Sequence, residues 1–590
     1  FLPRWVPWIC GGPFEVAGCQ LMLLALVLGA MRAALSQGGH FGPLHIDEND
    51  SGGREAAMAQ NAIDDVARGA TSIHGAMKNL RSHVEECGQS NCHPTSAKLG
   101  SFSGKNNSRD FWKCCSVPIE ISTVSAPIKA PKNPNGFEMV ELEVVDPHLI
   151  INYLFDVVGV DIPASAVRSF WRHHHAVRSP WLETCEASID HVPVALYGDG
   201  ARCRQQAYRP VEKVLGLYLS LPLWRPKSSR FSRWLLFSID ETLLYKRKTL
   251  NAVFRRLVWS INSMFTGCFP VRDELGRPLN DAKAGRPLTK CGRAFAFTEL
   301  RGDWSYFALI FGFNSSWKAG TNKSVCFLCE AFGAGNPGNQ YYHIDENCRC
   351  WGSMYNKASF LAREMPNQDI CPLIALKGFH PHCIRWCNLH VLNLGLLFTA
   401  NGASMMILTE SNFFGNDPSF QKRFDVAYRH FKSYIATKKI PCSQAPFTEK
   451  MVMKSGGEIQ FTLKGYNGRV VMEWLTHCLG IAVESPVLYP DPRMGLTYAA
   501  MNHLSRYMGL MERNPRFLSR MVADQMYAAG LAFARLHLIL AKKSFELRKL
   551  HWIIKPKIHA LGHQLLEVRR WRTNPRFFAT FIDEDNMALL

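Results

Sequence analysis

From about Gly136 onward the chain alternates short strand-like runs with long helix-like ones, and that alternation confines it to a mixed α/β architecture. Residues 138–145 alternate apolar and polar side chains, as a half-buried strand does. Residues 192–197 are a short apolar run closed by Gly198-Asp199-Gly200. This predicts a buried strand that turns sharply at the glycines and presents Asp199 there. Residues 293–300 alternate again until Gly302-Asp303-Trp304 breaks the pattern, and helical spacing follows over 383–398, 420–436 and 524–550.

Two zones precede this region. Residues 1–45 form an apolar leader in which 16 uncharged residues separate Glu15 from Arg32. That is short of the roughly 20 residues a spanning helix needs, so the leader reads as signal-like, as a buried helix, or as sequence foreign to the functional protein. Residues 46–135 are richer in Gly, Ser, Asn and Asp and read as a poorly ordered linker with one amphipathic helix over 56–84. The chain starts at Phe1 and stops six residues after Glu584. It therefore reads as a C-terminally truncated piece, from which feeble catalysis is expected.

Charge narrows the partners. Against 49 Asp and Glu stand 68 Lys and Arg, a formal charge of +19, and such a surplus favours polyanions because each phosphate contact releases counterions. An apolar share of 47% with 20% charged residues excludes wholesale disorder. The 19 scattered cysteines do not have the spacing of a secreted disulfide scaffold.

Three acids stand out: Asp199, Asp303, and Glu584 within Asp583-Glu584-Asp585. Each has an ordinary reading, as a turn residue, a helix cap and a solvated triplet respectively. Their surroundings, in order, resemble eukaryotic cut-and-paste transposases of the CACTA, hAT and Kyakuja-Dileera-Zisupton groups. Val194-Ala195-Leu196-Tyr197-Gly198-Asp199-Gly200 is similar to the first-aspartate strand of those families. Leu300-Arg301-Gly302-Asp303-Trp304 falls where the second aspartate stands. Arg385-Trp386-Cys387-Asn388-Leu389-His390 is similar to their histidine-bearing helical motif, and Phe581-Ile582-Asp583-Glu584-Asp585 matches the last catalytic acid. Some relatives carry an acid where this chain has Asn393.

The resemblance implies an RNase H-like core over 136–590, with a mixed five-stranded sheet, flanking helices and a mostly helical insertion over about 305–540. Asp199, Asp303 and Glu584 would then be catalytic and ligate two Mg²⁺ ions for DNA nicking and strand transfer in the nucleus. Two other readings stay open. One is a degenerate transposon-derived protein that binds DNA, or nothing, without catalysis. The other is a membrane-anchored or secreted basic protein.

Cys326-x-x-Cys329 is a zinc half-site, since two intervening residues let both thiolates reach one tetrahedral ion. Cys348-x-Cys350, His343 and Cys387-x-x-His390 compete for the other half. The favoured set is Cys326, Cys329, Cys387 and His390, the last two at i and i+3 on one helix face. His173-His174-His175 reads as a basic surface patch. Residues 541–576 carry ten Lys or Arg against two Glu, interleaved with His and Trp. This composition suits DNA binding, with Lys555, Lys557, Arg569, Arg570 and Arg572 as phosphate contacts. A second copy of the chain is a further partner; a membrane is not expected.

Overall fold

The computed structural model describes residues 73–88, 97, 100, 119–130, 136–204, 212–226, 232–317, 324–333, 338–365 and 370–587. The apolar leader, most of the helix expected over 56–84, and Cys114-Cys115 lie outside them.

Helix α1 (Ile73–Cys87) comes first, followed by the antiparallel hairpin of β1 (Ser122–Lys129) and β2 (Phe137–Val144). The hairpin straddles residue 136, so the ordered core begins earlier than the composition suggests. Helix α2 (Pro147–Asn152) starts on a proline whose missing N–H costs nothing at that position, runs into a π turn at Tyr153–Val157, and is followed by α3 (Ala164–Ala176).

Strands β3 (Val192–Arg204), β4 (Glu212–Ser220), β5 (Trp234–Asp240) and β6 (Phe295–Gly302) form one sheet in the order β5-β4-β3-β6. The first three make an antiparallel meander. Helix α4 (Lys246–Met264) then carries the chain across to β6, which runs parallel to β3. Every residue of β6 is buried, as a parallel strand covered on both faces must be. Among the described residues the sheet has four strands rather than the expected five. Beside β6 the fifth position is filled by a single parallel bridge, Leu300 to Ile384, with Arg385 N–H donating to Leu300 O at 2.9 Å. A 3-10 turn at Pro381–Cys383, capped by His380, lies just before it.

The remaining chain is helical: α5 (Trp304–Phe311), α6 (Lys357–Glu364), a π-helix at Leu389–Leu396 running into α7 (Leu397–Glu410), and α8 (Phe420–Thr437). Then come α9 (Gly465–Glu484), α10 (Met494–Arg513), α11 (Arg520–Glu546), α12 (Lys557–Trp571) and α13 (Phe581–Met587). Leu389–Glu410 is long and apolar enough to cross a membrane, but 89% of its most apolar stretch is buried in the fold. It is accounted for as a core helix, packed by α9 and α10.

The histidine tract is not a surface patch. His174 is buried against Ser179 and Trp181, and His173 Nε2 lies 2.9 Å from the carbonyl of Trp571, tying α3 to the end of α12. Only His175 is exposed. Three consecutive helical residues point roughly 100° apart, so one tract serves core, junction and solvent in turn.

Candidate metal centre and acidic cluster

The strand register brings the first two acids together. In the parallel pair β3–β6 the last aligned residues are Gly198 and Gly302. Asp199 and Asp303 therefore follow side by side, on chains one strand spacing apart, roughly 5 Å. β3 does not turn at its glycines; it continues as strand to Arg204. Gly198 is required for space instead, since a Cβ there would lie 2.1 Å from the Tyr306 ring of α5.

Each carboxylate is held by a neighbour. Tyr197, two residues back and so on the same face of β3, donates its hydroxyl to Asp199 Oδ2 at 3.0 Å. Asp303 caps α5, accepting Tyr306 N–H at 2.6 Å through Oδ1. Glu584 sits on α13, which packs on β3, and accepts the Thr580 hydroxyl at 3.1 Å.

The three acids sense one another. Burial and then the Asp303 charge push Asp199 up to about 6. Burial pushes Glu584 up to about 7, with Asp199 and Asp303 adding to the rise and His390 opposing it. Close carboxylates in a half-buried place cannot all ionise without a compensating cation.

Cys387 and His390 belong to this cluster and not to the zinc-type one. His390 Nδ1 meets Cys387 Sγ at 3.3 Å, while Nε2 faces Glu584 at 3.6 Å, and Cys387 also contacts the Thr580 hydroxyl at 3.0 Å. Cys387 precedes the π-helix Leu389–Leu396 and His390 lies in its first turn, so the two do not share one helix face as the spacing suggested. Asn393, further along it, donates its amide to Gly465 O.

The partners of Cys326 and Cys329 are His559 and His563 of α12. All four are buried and their ligand atoms lie within 4.8 Å of one another, a Cys₂His₂ group that can hold a metal such as zinc. His559 and His563 stand at i and i+4, one turn apart on one helix face. That spacing was visible in the sequence but lay hidden within a stretch dominated by basic residues. His559 Nδ1 is set by the Tyr341 carbonyl at 3.1 Å, which leaves Nε2 facing the thiols. The neighbouring Cys329 thiol and both imidazoles draw Cys326 well toward thiolate, against the opposing effect of burial. Cys350 lies beside Cys329 at the edge of the group, and His343 is not part of it.

The basic stretch 541–576 is not one open DNA channel. Residues 558–568 of α12 are buried without a break, because the helix packs against α11 and the π-helix Leu389–Leu396. Lys555 pairs with Glu458 at 2.5 Å, and Arg569 pairs with Glu346 over the Tyr527 ring. Lys557 turns inward: its ammonium donates to Leu394 O at 3.1 Å, and burial lowers it to about 8 although Asp303 lies near. Arg570 and Arg572 emerge at the end of α12. With Arg178 they line a groove of about 840 Å³, where none of the three meets a carboxylate among the described residues. Elsewhere Arg233 pairs with Asp583, and Arg256 with Asp146 and Glu274. No known protein family matches the chain, and comparison with curated proteins finds no match.

Proposed function

We propose that this chain is a transposase-type, DNA-processing protein with an RNase H-like core, in which Asp199, Asp303 and Glu584 hold two Mg²⁺ ions. The observation that carries the reading is the Gly198–Gly302 register, which sets two carboxylates side by side next to a third on α13. The donors suit the ion: three carboxylates offer hard oxygen ligands, and their mutual repulsion is the deficit a divalent cation removes. Such ions, when bound, supply activation of the attacking water and stabilisation of the leaving oxygen.

The protein's own contribution is orientation. Tyr197, the first turn of α5 and Thr580 hold one carboxylate each, and the half-buried Lys557 ammonium adds a positive charge near Asp303. Cys326, Cys329, His559 and His563 suit structural zinc, which would bind the loop after Asp303 to the helix before Glu584. The Arg178–Arg570–Arg572 groove supplies a phosphate-gripping surface. DNA as substrate argues for a nuclear location and for a second copy of the chain at the paired end.

Nicking of supercoiled plasmid in Mg²⁺ tests this. Cleavage by the wild type that falls to background in Asp199→Asn and in Asp303→Asn is expected. Cleavage unchanged in both variants refutes the site. Binding without cleavage by any of the three proteins leaves a DNA-binding, non-catalytic protein.

A further inference from the structure

On the far side of α13 from Glu584 lies a second cavity, of about 500 Å³, between the β4–β5 turn and the 3-10 turn Pro575–Phe578. Arg233, Arg301 and Arg516 form its buried floor, and Arg225 and Arg576 its exposed rim. Two guanidinium groups approach the Phe577 ring, Arg225 at 5.2 Å and Arg516 at 5.1 Å from its centre.

The floor is short of negative charge. Arg301 and Arg516 lean on the single carboxylate of Glu299, at 2.5 and 2.6 Å. Arg233 pairs with Asp583, and Arg385, the next guanidinium inward, faces Glu567 at 3.6 Å. Four buried guanidiniums thus face three carboxylates. Burial pushes Glu567 up to about 7, so its charge is only partly present at neutral pH. At the rim Arg576 shares Glu512 with Arg469, and Arg225 meets no carboxylate among the described residues. A buried cationic surplus is costly unless an anion joins it. Guanidinium forks fit phosphate oxygens two at a time.

We propose that this cavity is a phosphate-binding site, taking the oxyanion on its arginine floor and an attached base against Phe577. The site does not depend on cation binding by the acids. The ligand is either free phosphate or a nucleotide of a DNA strand, and α13 links the cavity to Glu584 in the second case.

Calorimetric titration of the full chain at low ionic strength tests the site, with inorganic pyrophosphate and a 5′-phosphorylated thymidine dinucleotide as probes. Saturable binding of one probe per chain is expected, weakened at least tenfold in the Arg225→Ala/Arg576→Ala double variant. Arg225→Glu, a single change at an exposed position, gives the same loss should the double variant fail to fold. Tighter binding of the dinucleotide, selectively reduced by Phe577→Ala, identifies a nucleotide. Binding of pyrophosphate alone identifies a free phosphate. No saturable binding of either probe overturns the proposal. So does binding that survives both rim variants, or that is lost in Arg570→Ala/Arg572→Ala, which would put the anion in the other groove.

Discussion

Replacing His563 with alanine separates the ligand set seen in the structure from the one the motif spacing favoured. Structural zinc in a four-ligand site binds with about 10–16 kcal/mol. Shared among Cys326, Cys329, His559 and His563, that is about 2.5–4 kcal/mol per ligand, so losing one weakens zinc by roughly two to three orders of magnitude. His563 is buried between Trp351 and Trp386, with ring centres 5.1 and 5.8 Å away, so water cannot readily replace the missing imidazole. The assay is zinc content after dialysis, followed by competition with a chromophoric chelator. One zinc per chain is expected for the wild type, for Cys387→Ala and for His390→Ala, and a large loss for His563→Ala and Cys326→Ser. A zinc-free wild type refutes the reasoning, as does zinc kept by His563→Ala but lost from Cys387→Ala.

Burial holds His148 and His537 at about 4, below the ordinary 6.5. The unfolded chain binds these protons first, so their contribution is complete above pH 6.5 and is lost as pH falls to 4, at about 3 kcal/mol each. Urea midpoints at pH 7, 5.5 and 4.5 should fall in that order; a flat series contradicts the burial argument. Gly198→Ala drives a methyl group into the Tyr306 ring. A loss of about 3 kcal/mol in urea unfolding is expected from overpacking. A change under about 0.5 kcal/mol would mean that α5 yields freely, as ordinary surface sites do.

The sequence by itself determined where several of the elements lie. Periodicity located β2, β6, α8 and α11 within a few residues, because a face that must be buried repeats at the period of its own backbone. Asp199 and Asp303 were legible as acids following apolar strands. Cys326 and Cys329 were legible because their donors are local, two residues apart. What completes the metal group was not local: His559 and His563 lie more than 200 residues further along the chain, and only the passage of α12 through the core brings them to the thiols. The tertiary structure also decided which positive charges are free. Composition counts every Lys and Arg in 541–576 alike, whereas folding commits Lys555, Lys557 and Arg569 to partners within the chain and leaves Arg570 and Arg572 to the groove. A side chain's charge is fixed by its type, but its partners are fixed by whichever elements packing sets against it.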